Sequence, residues 1–269
     1  VFLSGGRPNV RDEQDAAKRA VQSQFARQAS WYTVSRRHEQ SPGLDILIRL
    51  AAPAPAERVL DVATGTGFTA FAMAARARSV VALDFTTGML REAEALRRER
   101  GAANVAFCLG DAEAQPFRGG VFDLVVCRYA AHHFPNLGRA IAEMARVARP
   151  GGRVVLEDTC APEDPALDDL MNRWEVRRDR SHVRNVPPSR LRGMFEAAGL
   201  AVDALETTVI PQHFSEWSRR GGMNERDAAA LRVEFANAAP AVRAAFQIES
   251  EDGDLAFSWG EAVVLGVKR

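Results

Sequence analysis

The sequence predicts an α/β protein: a doubly wound, mostly parallel seven-stranded sheet, with N-terminal helices ahead of it and helical insertions forming a lid. Three observations predict it. Between Arg58 and Asp158, short apolar runs alternate with helix-like segments, the rhythm of an open sheet covered on both faces. The runs VLDV, VVAL, LVVC and VVLE are apolar at successive positions, which marks strands buried on both sides. The first run leads into a glycine-rich turn, DVATGTGFTA (61–70), of the kind that carries a strand end into a helix start.

Taken in order, residues 1–10 are expected to be loosely ordered, and are too short and polar for a secretory leader. Residues 12–37 lack Pro and Gly and read as a helix with Val21, Phe25, Ala29 and Tyr32 on one face. A short helix follows at 44–50 and ends at PAPA (53–56). Strands are expected at 58–62, 80–83, 105–109, 122–128 and 153–158, with helices at 68–77, 87–100 and 137–148 between them. Gly101 ends one helix and Pro150-Gly151 stops another. Beyond Asp158 the rhythm breaks: a charged stretch holds a helix at 167–179, a helix at 189–198 ends at Gly199, and a strand covers 201–210. Residues 214–250 look helical, interrupted at Gly221-Gly222 and Pro240, and a strand at 255–267 closes the chain. The expected organisation is an N-terminal helical cap (1–52) and one domain (53–269) with insertions at about 160–187 and 211–253, natural lids over a pocket.

Composition narrows the function classes. Acidic and basic residues balance at 35 each over 269 residues, so no net field draws nucleic acid or an anionic membrane, and neither is expected as a partner. No apolar run is long enough to span a bilayer. The scattered Cys108, Cys127 and Cys160 suit a reducing compartment, so a cytoplasmic protein is expected. Monomer and homodimer both stay open.

In an open α/β sheet the ligand binds at the carboxyl ends of the strands. Those positions hold Asp61 and the Gly65/Gly67 turn, then Asp84, then Asp111-Ala112, then RYAAHHF (128–134), then Asp158. GTGFTA fits the dinucleotide fingerprint G-x-G-x-x-A. A nicotinamide site would explain the glycines and Asp84, which could accept both ribose hydroxyls, but would give no role to Asp61 or Asp111. An S-adenosylmethionine site uses all four. Its ammonium suits an acid at the first strand end, and its adenine amino group suits Asp111.

VLDVATGTG (59–67), VVALDFTTGML (80–90), LGDAEAQPF (109–117), FDLVVCRYAAHHF (122–134) and VARPGGRVVLED (147–158) stand in the order and spacing of one family. The chain resembles the class I S-adenosylmethionine-dependent methyltransferases, a Rossmann-like fold, and in particular the branch similar to the ubiquinone/menaquinone C-methyltransferases. The similarity is looser from Gln22 and out to Gly199. The resemblance implies that Asp61 and the loop of Ala63, Thr64, Gly65 and Gly67 hold the methionine end. Asp84 would hold the ribose, Phe85 and Met89 would pack on the adenosine, and Asp111 and Ala112 would read the adenine. Arg128 would open the loop nearest the sulfonium. One position departs from the family pattern: Ala63 stands where the loop commonly has its first glycine. With a Cβ, that residue is expected to avoid positive φ.

The expected function is methyl transfer from S-adenosylmethionine to a small-molecule acceptor, acidic or quinone-like, by in-line displacement. If the acceptor carries a proton, His133 is the first candidate base and His132 the second, with a pKa near the free value. Tyr32 is placed to close over the methionine end. Arg177, Arg180 and Arg184 could anchor an acidic acceptor or simply line a solvated, salt-bridged helix. Trp174 and Trp217 could line a pocket or pack. No metal is expected, since neighbouring histidines rarely ligate one ion and no third ligand lies at suitable spacing. RYAAHHF lacks the Asn/Asp-Pro-Pro-aromatic motif of amino-methylating DNA enzymes. The alternatives are an NAD-dependent dehydrogenase and a non-catalytic adenosylmethionine-binding module.

Overall fold

A computed structural model describes residues 42–269, together with Lys18 and Gln22, both helical. Tyr32, and the expected helical face of Val21, Phe25 and Ala29, lie outside the described residues. The chain runs α1 (Pro42–Ala51), β1 (Arg58–Val62), α2 (Phe68–Ala74), β2 (Ser79–Asp84), α3 (Thr87–Glu99), β3 (Val105–Leu109) and β4 (Phe122–Arg128). A single 3-10 turn (Ala131–His133) precedes α4 (Leu137–Val147) and β5 (Ala148–Cys160). Then come α5 (Pro165–Arg178), α6 (Pro188–Ala197), β6 (Leu200–His213), α7 (Phe214–Arg220), α8 (Glu225–Ala236), α9 (Pro240–Phe246), β7 (Glu249–Glu251) and β8 (Asp254–Lys268).

The sheet order is β3-β2-β1-β4-β5-β8-β6. The first five strands are parallel neighbours, whereas β8 runs antiparallel to both β5 and β6. All seven expected strands are present. An additional short strand, β7, folds back on β8 through Asp252-Gly253, both at positive φ, as the tight turn of a two-residue hairpin requires. The order reverses between β1 and β4, which opens the crevice at their carboxyl ends.

The two-sided apolar strands bury as their runs predict. In β4, Val125 and Cys127 face a core with Leu60, Ile141, Met144 and Phe195, while Leu124 and Val126 face the other, with Leu47, Met73 and Val263. Some boundaries move. The 68–77 helix stops at Ala74. The strand expected at 153–158 already begins at Ala148 and absorbs Pro150-Gly151, where the β4–β5 register shifts between Phe122 and Leu124.

The two expected insertions meet in a third core. Met171 and Trp174 of α5 pack with Phe214 and Trp217 of α7, Leu231 and Phe235 of α8, and Phe257 and Trp259 of β8. Trp174 lies 4.0 Å from Phe235, ring centre to ring centre. Trp174 and Trp217 therefore pack, and their indole N–H groups find acids: Glu234 at 2.7 Å and Glu175 at 3.2 Å. Trp259 donates to the same Glu175 at 2.6 Å. Burial works against ionisation of Glu175, but the Arg178 charge and its hydrogen bond outweigh it and draw the carboxyl down to about 2.

Candidate active site

The strand ends build an open cleft of ≈ 990 Å³ at the order reversal. Its floor is the β1–α2 turn. Beneath it Asp61, next to last in β1, is almost wholly buried, does not itself line the cleft, and accepts the Thr64 hydroxyl at 2.5 Å. Burial pushes its carboxyl up to about 7, against that hydrogen bond and the Arg128 charge. Gly65 sits at φ +55°, and a Cβ there would meet nothing within 4 Å, so the turn presents bare backbone to open space. Gly67 shapes the turn from below, against the Phe71 ring.

Ala63 overturns one expectation. It adopts φ +56°, in the left-handed region it was expected to avoid. The turn demands that conformation: Thr64 N–H bonds back to Leu83 O at 2.9 Å, and Gly67 N–H to Thr64 O at 2.9 Å. The backbone geometry overrides the residue's own preference, at a cost of roughly 1–2 kcal/mol.

At the end of β2, Asp84 accepts the N–H of Gly65 at 2.9 Å and that of Thr86 at 2.8 Å. Its burial pushes the carboxyl up, opposed by those bonds. Phe85, Met89 and Ala112 line the same wall. Asp111 takes Lys18 Nζ at 2.6 Å, and Glu113 takes the same ammonium at 2.8 Å. Gln22 donates to Phe85 O at 3.1 Å. Lys18 and Gln22, four residues apart, thus each reach the rim at a different strand end.

The opposite wall follows β4: Arg128, Tyr129, Ala130, His133, Phe134 and Pro135. The 3-10 turn separates the two histidines. His133 lines the cleft; its Nδ1 lies 3.0 Å from the Ser181 carbonyl oxygen, so that nitrogen carries the proton and Nε2 is the basic one. Ser181 is fixed in turn by Asp179, which accepts its hydroxyl at 2.6 Å. His132 lies behind it, ring centres 4.1 Å apart, and pairs with Asp158 through Nδ1 at 2.7 Å and its own N–H at 2.9 Å. Burial and the His132 charge hold His133 well below its ordinary pKa. This corrects the expectation of a value near the free one. Burial also opposes charge on His132, but Asp158 outweighs it and lifts the imidazole, and is itself lowered by that partner against its burial.

The three arginines gather elsewhere. Arg177 pairs with Glu234, Arg184 pairs with Asp168 at 2.5 Å, and Arg180 is exposed. None of them lines the cleft. Among the described residues, no group of three or more His, Cys, Asp or Glu is arranged to hold a metal ion. No helix among them is long and apolar enough to cross a membrane.

The cleft therefore has acceptors at one end, a bare glycine turn in the middle and a histidine opposite, which fits a nucleoside bearing a cationic amino-acid tail. The comparisons decide the family. Residues 53–199 match the model of a methyltransferase domain, more than half of the chain. The chain belongs to the class I S-adenosylmethionine-dependent methyltransferases. The uncharacterized methyltransferase YcgJ of Bacillus subtilis is 37% identical over 198 residues, covering 74% of this chain and 78% of its own. The crystal structure of YcgJ superposes with a TM-score of 0.81 at 34% identity, covering 84% of this chain and 98% of that one. A demethylmenaquinone methyltransferase of Deinococcus radiodurans is 41% identical over 159 residues, covering 56% of this chain and 64% of its own. As a methyltransferase of this class, the enzyme uses S-adenosylmethionine, and nicotinamide chemistry drops away.

Sequence reading of this methyltransferase site passed over Lys18, Glu113, Tyr129 and Ser181. Lys18 and Ser181 come from distant segments and left no local signal. Glu113 did: an acid two residues after Asp111 at a strand end.

Proposed function

We propose that the enzyme methylates a small, ring-bearing acceptor that lies against Ala130, His133, Phe134 and Pro135. Bound in the cleft, the cofactor supplies an electrophilic methyl group on a sulfonium. Asp84 and Asp111 stand where the nucleoside hydroxyls and the adenine amino group would donate. Asp61 and the Gly65 turn receive the amino-acid end. The observation that carries the reading is His133. It is the histidine lining the cleft, neutral, with its Nδ1–H fixed on Ser181 so that Nε2 is the accepting nitrogen. Its role is to accept a hydrogen bond from an acceptor hydroxyl and orient it toward the methyl group, with proton removal the lesser part.

The apolar wall and the demethylmenaquinone methyltransferase relatives support a quinol-like ring over an acidic acceptor, as do Arg177 and Arg184, paired away from the cleft. The test is transfer of isotopic methyl to a panel of naphthols, quinols and aromatic acids. His133→Ala should lower kcat by roughly 10²–10⁴-fold with cofactor affinity nearly intact. Turnover within a few-fold of the parent enzyme would remove His133 from the reaction.

A further inference from the structure

Beneath the Arg128–Tyr129 wall, two carboxyl groups meet in the core. Glu157 of β5 and Glu261 of β8 are both 0% exposed. In the antiparallel ladder Glu157 opposes Val263 and Thr159 opposes Glu261, so the two side chains lie diagonally across one face. Each uses one oxygen on a residue of the cleft. Glu157 Oε2 accepts Arg128 Nε at 3.0 Å, and Glu261 Oε1 accepts the Tyr129 hydroxyl. The other two oxygens, Glu157 Oε1 and Glu261 Oε2, have no donor. Both crowd the same point on α1, where a Cβ on Gly43 would collide with the pair of them.

Two bare carboxylate oxygens cannot share such a spot, because like charges repel strongly out of water. A single proton between them removes the repulsion and satisfies both atoms. We infer that Glu157 and Glu261 hold one proton between them at neutral pH, and that this acid pair positions Arg128 and Tyr129 in the cofactor cleft. Arg128 then meets one shared negative charge on the pair rather than two. Burial, with the second carboxyl beside it, pushes the Glu157 carboxyl well above the usual carboxylate range, although Arg128 opposes the shift. The proton belongs to the pair rather than to either residue. Tyr129 needs the hold, because its backbone sits at φ +49°, a conformation that persists where surrounding bonds impose it. Its ring in turn lies 4.6 Å from the Arg128 guanidinium carbon.

The two acids are not interchangeable. A glutamine at 261 can donate its amide N–H to Glu157 and accept from Tyr129, reproducing the protonated pair. A glutamine at 157 removes the negative charge that Arg128 bonds on this side. Infrared spectroscopy of the purified protein at neutral pH should reveal a carboxylic acid C=O band that Glu261→Gln abolishes; a protonated Asp61 would persist in that variant. Glu261→Gln should keep its melting temperature and hold cofactor affinity within about threefold, whereas Glu261→Leu and Glu157→Gln should each lose about tenfold or more. Loss of affinity in the Leu variant, restored by Gln, separates positioning from mere packing. An absent band, a band unaffected by Glu261→Gln, or a Glu157→Gln enzyme as tight as Glu261→Gln would overturn the inference. If Glu157→Gln fails to fold, the band and the Glu261 variants decide alone. The affinity readout rests on the proposed cofactor geometry; the infrared band does not, so failure of one is distinguishable from failure of the other.

Discussion

Asp84 reaches from the end of β2 to the N–H of Gly65, 2.9 Å away, so a single carboxylate ties the glycine turn to the neighbouring strand while facing the cleft. Replacing it with alanine should have two consequences. The buried N–H of Thr86 and the partly buried N–H of Gly65 lose their acceptor, costing about 1–3 kcal/mol of fold stability. The cofactor loses charge-assisted bonds worth roughly 2–3 kcal/mol. Calorimetry that finds cofactor affinity unchanged in Asp84→Ala would refute the ribose assignment.

The Ala63 conformation makes its own forecast. Glycine carries no Cβ penalty at φ +56°, but it is freer in the unfolded chain. Ala63→Gly should be neutral or stabilise by up to ~1 kcal/mol, whereas the β-branched Ala63→Val should destabilise by ~2 kcal/mol or more. Thermal melts of the two variants check this, and a Val variant as stable as the parent would contradict it.

Lys18 bridges Asp111 and Glu113 across the rim, partly in solvent. An ion pair of that kind is worth up to ~1 kcal/mol, a factor of about five in a rate. Lys18→Ala should speed both association and dissociation of the cofactor by about that factor while changing its affinity less. Stopped-flow rates identical to those of the parent would mean that the contact does not gate entry.

The His132–Asp158 pair predicts a pH window. Asp158 is lowered, so its contribution is present above its unfolded value and lost as acid passes through the folded one. His132 is raised, so its contribution is full below its unfolded value and fades as pH climbs through the folded one. The stability lost in Asp158→Asn should therefore be greatest between about pH 4 and 6.5 and shrink in alkali. Urea titrations across pH test it; a loss that grows with alkalinity would have the wrong sign.

His133 is held neutral, so kcat should not rise through pH 6.5 on its account, and protonation at that site belongs well below it. A weak, permanently neutral imidazole acts more by orientation than by basicity. His133→Gln should therefore recover much of what His133→Ala loses. Kinetics with glutamine as poor as alanine would restore proton removal as the whole of its role.

The sheet was legible because VLDV, VVAL, LVVC and VVLE bury both faces, and a pattern that local can be read without contacts. That Asp84 and Asp111 face the cleft was legible for a related reason: a strand end fixes where its next side chain goes, whereas Asp61 lies buried beneath the turn. Ala63 was misread because the turn, not the residue, sets φ. Glu157 stood in plain sight inside an apolar run, and an acid in a strand buried on both sides is itself a signal of a partner. That partner, Glu261, lies over a hundred residues away, and no local rule joins the two. The hairpin at β7 was missed although Asp252-Gly253 is a strong turn signal.

β8 lies inside the sheet, with β5 on one side and β6 on the other, although it follows both in sequence. During synthesis β6 emerges before the strand that joins it to the rest, and β5 waits with an open, apolar edge. The sheet can close only after β8 has left the ribosome, and with it the acid that meets Glu157. Until then the nascent protein carries a strand edge open to pairing with neighbours.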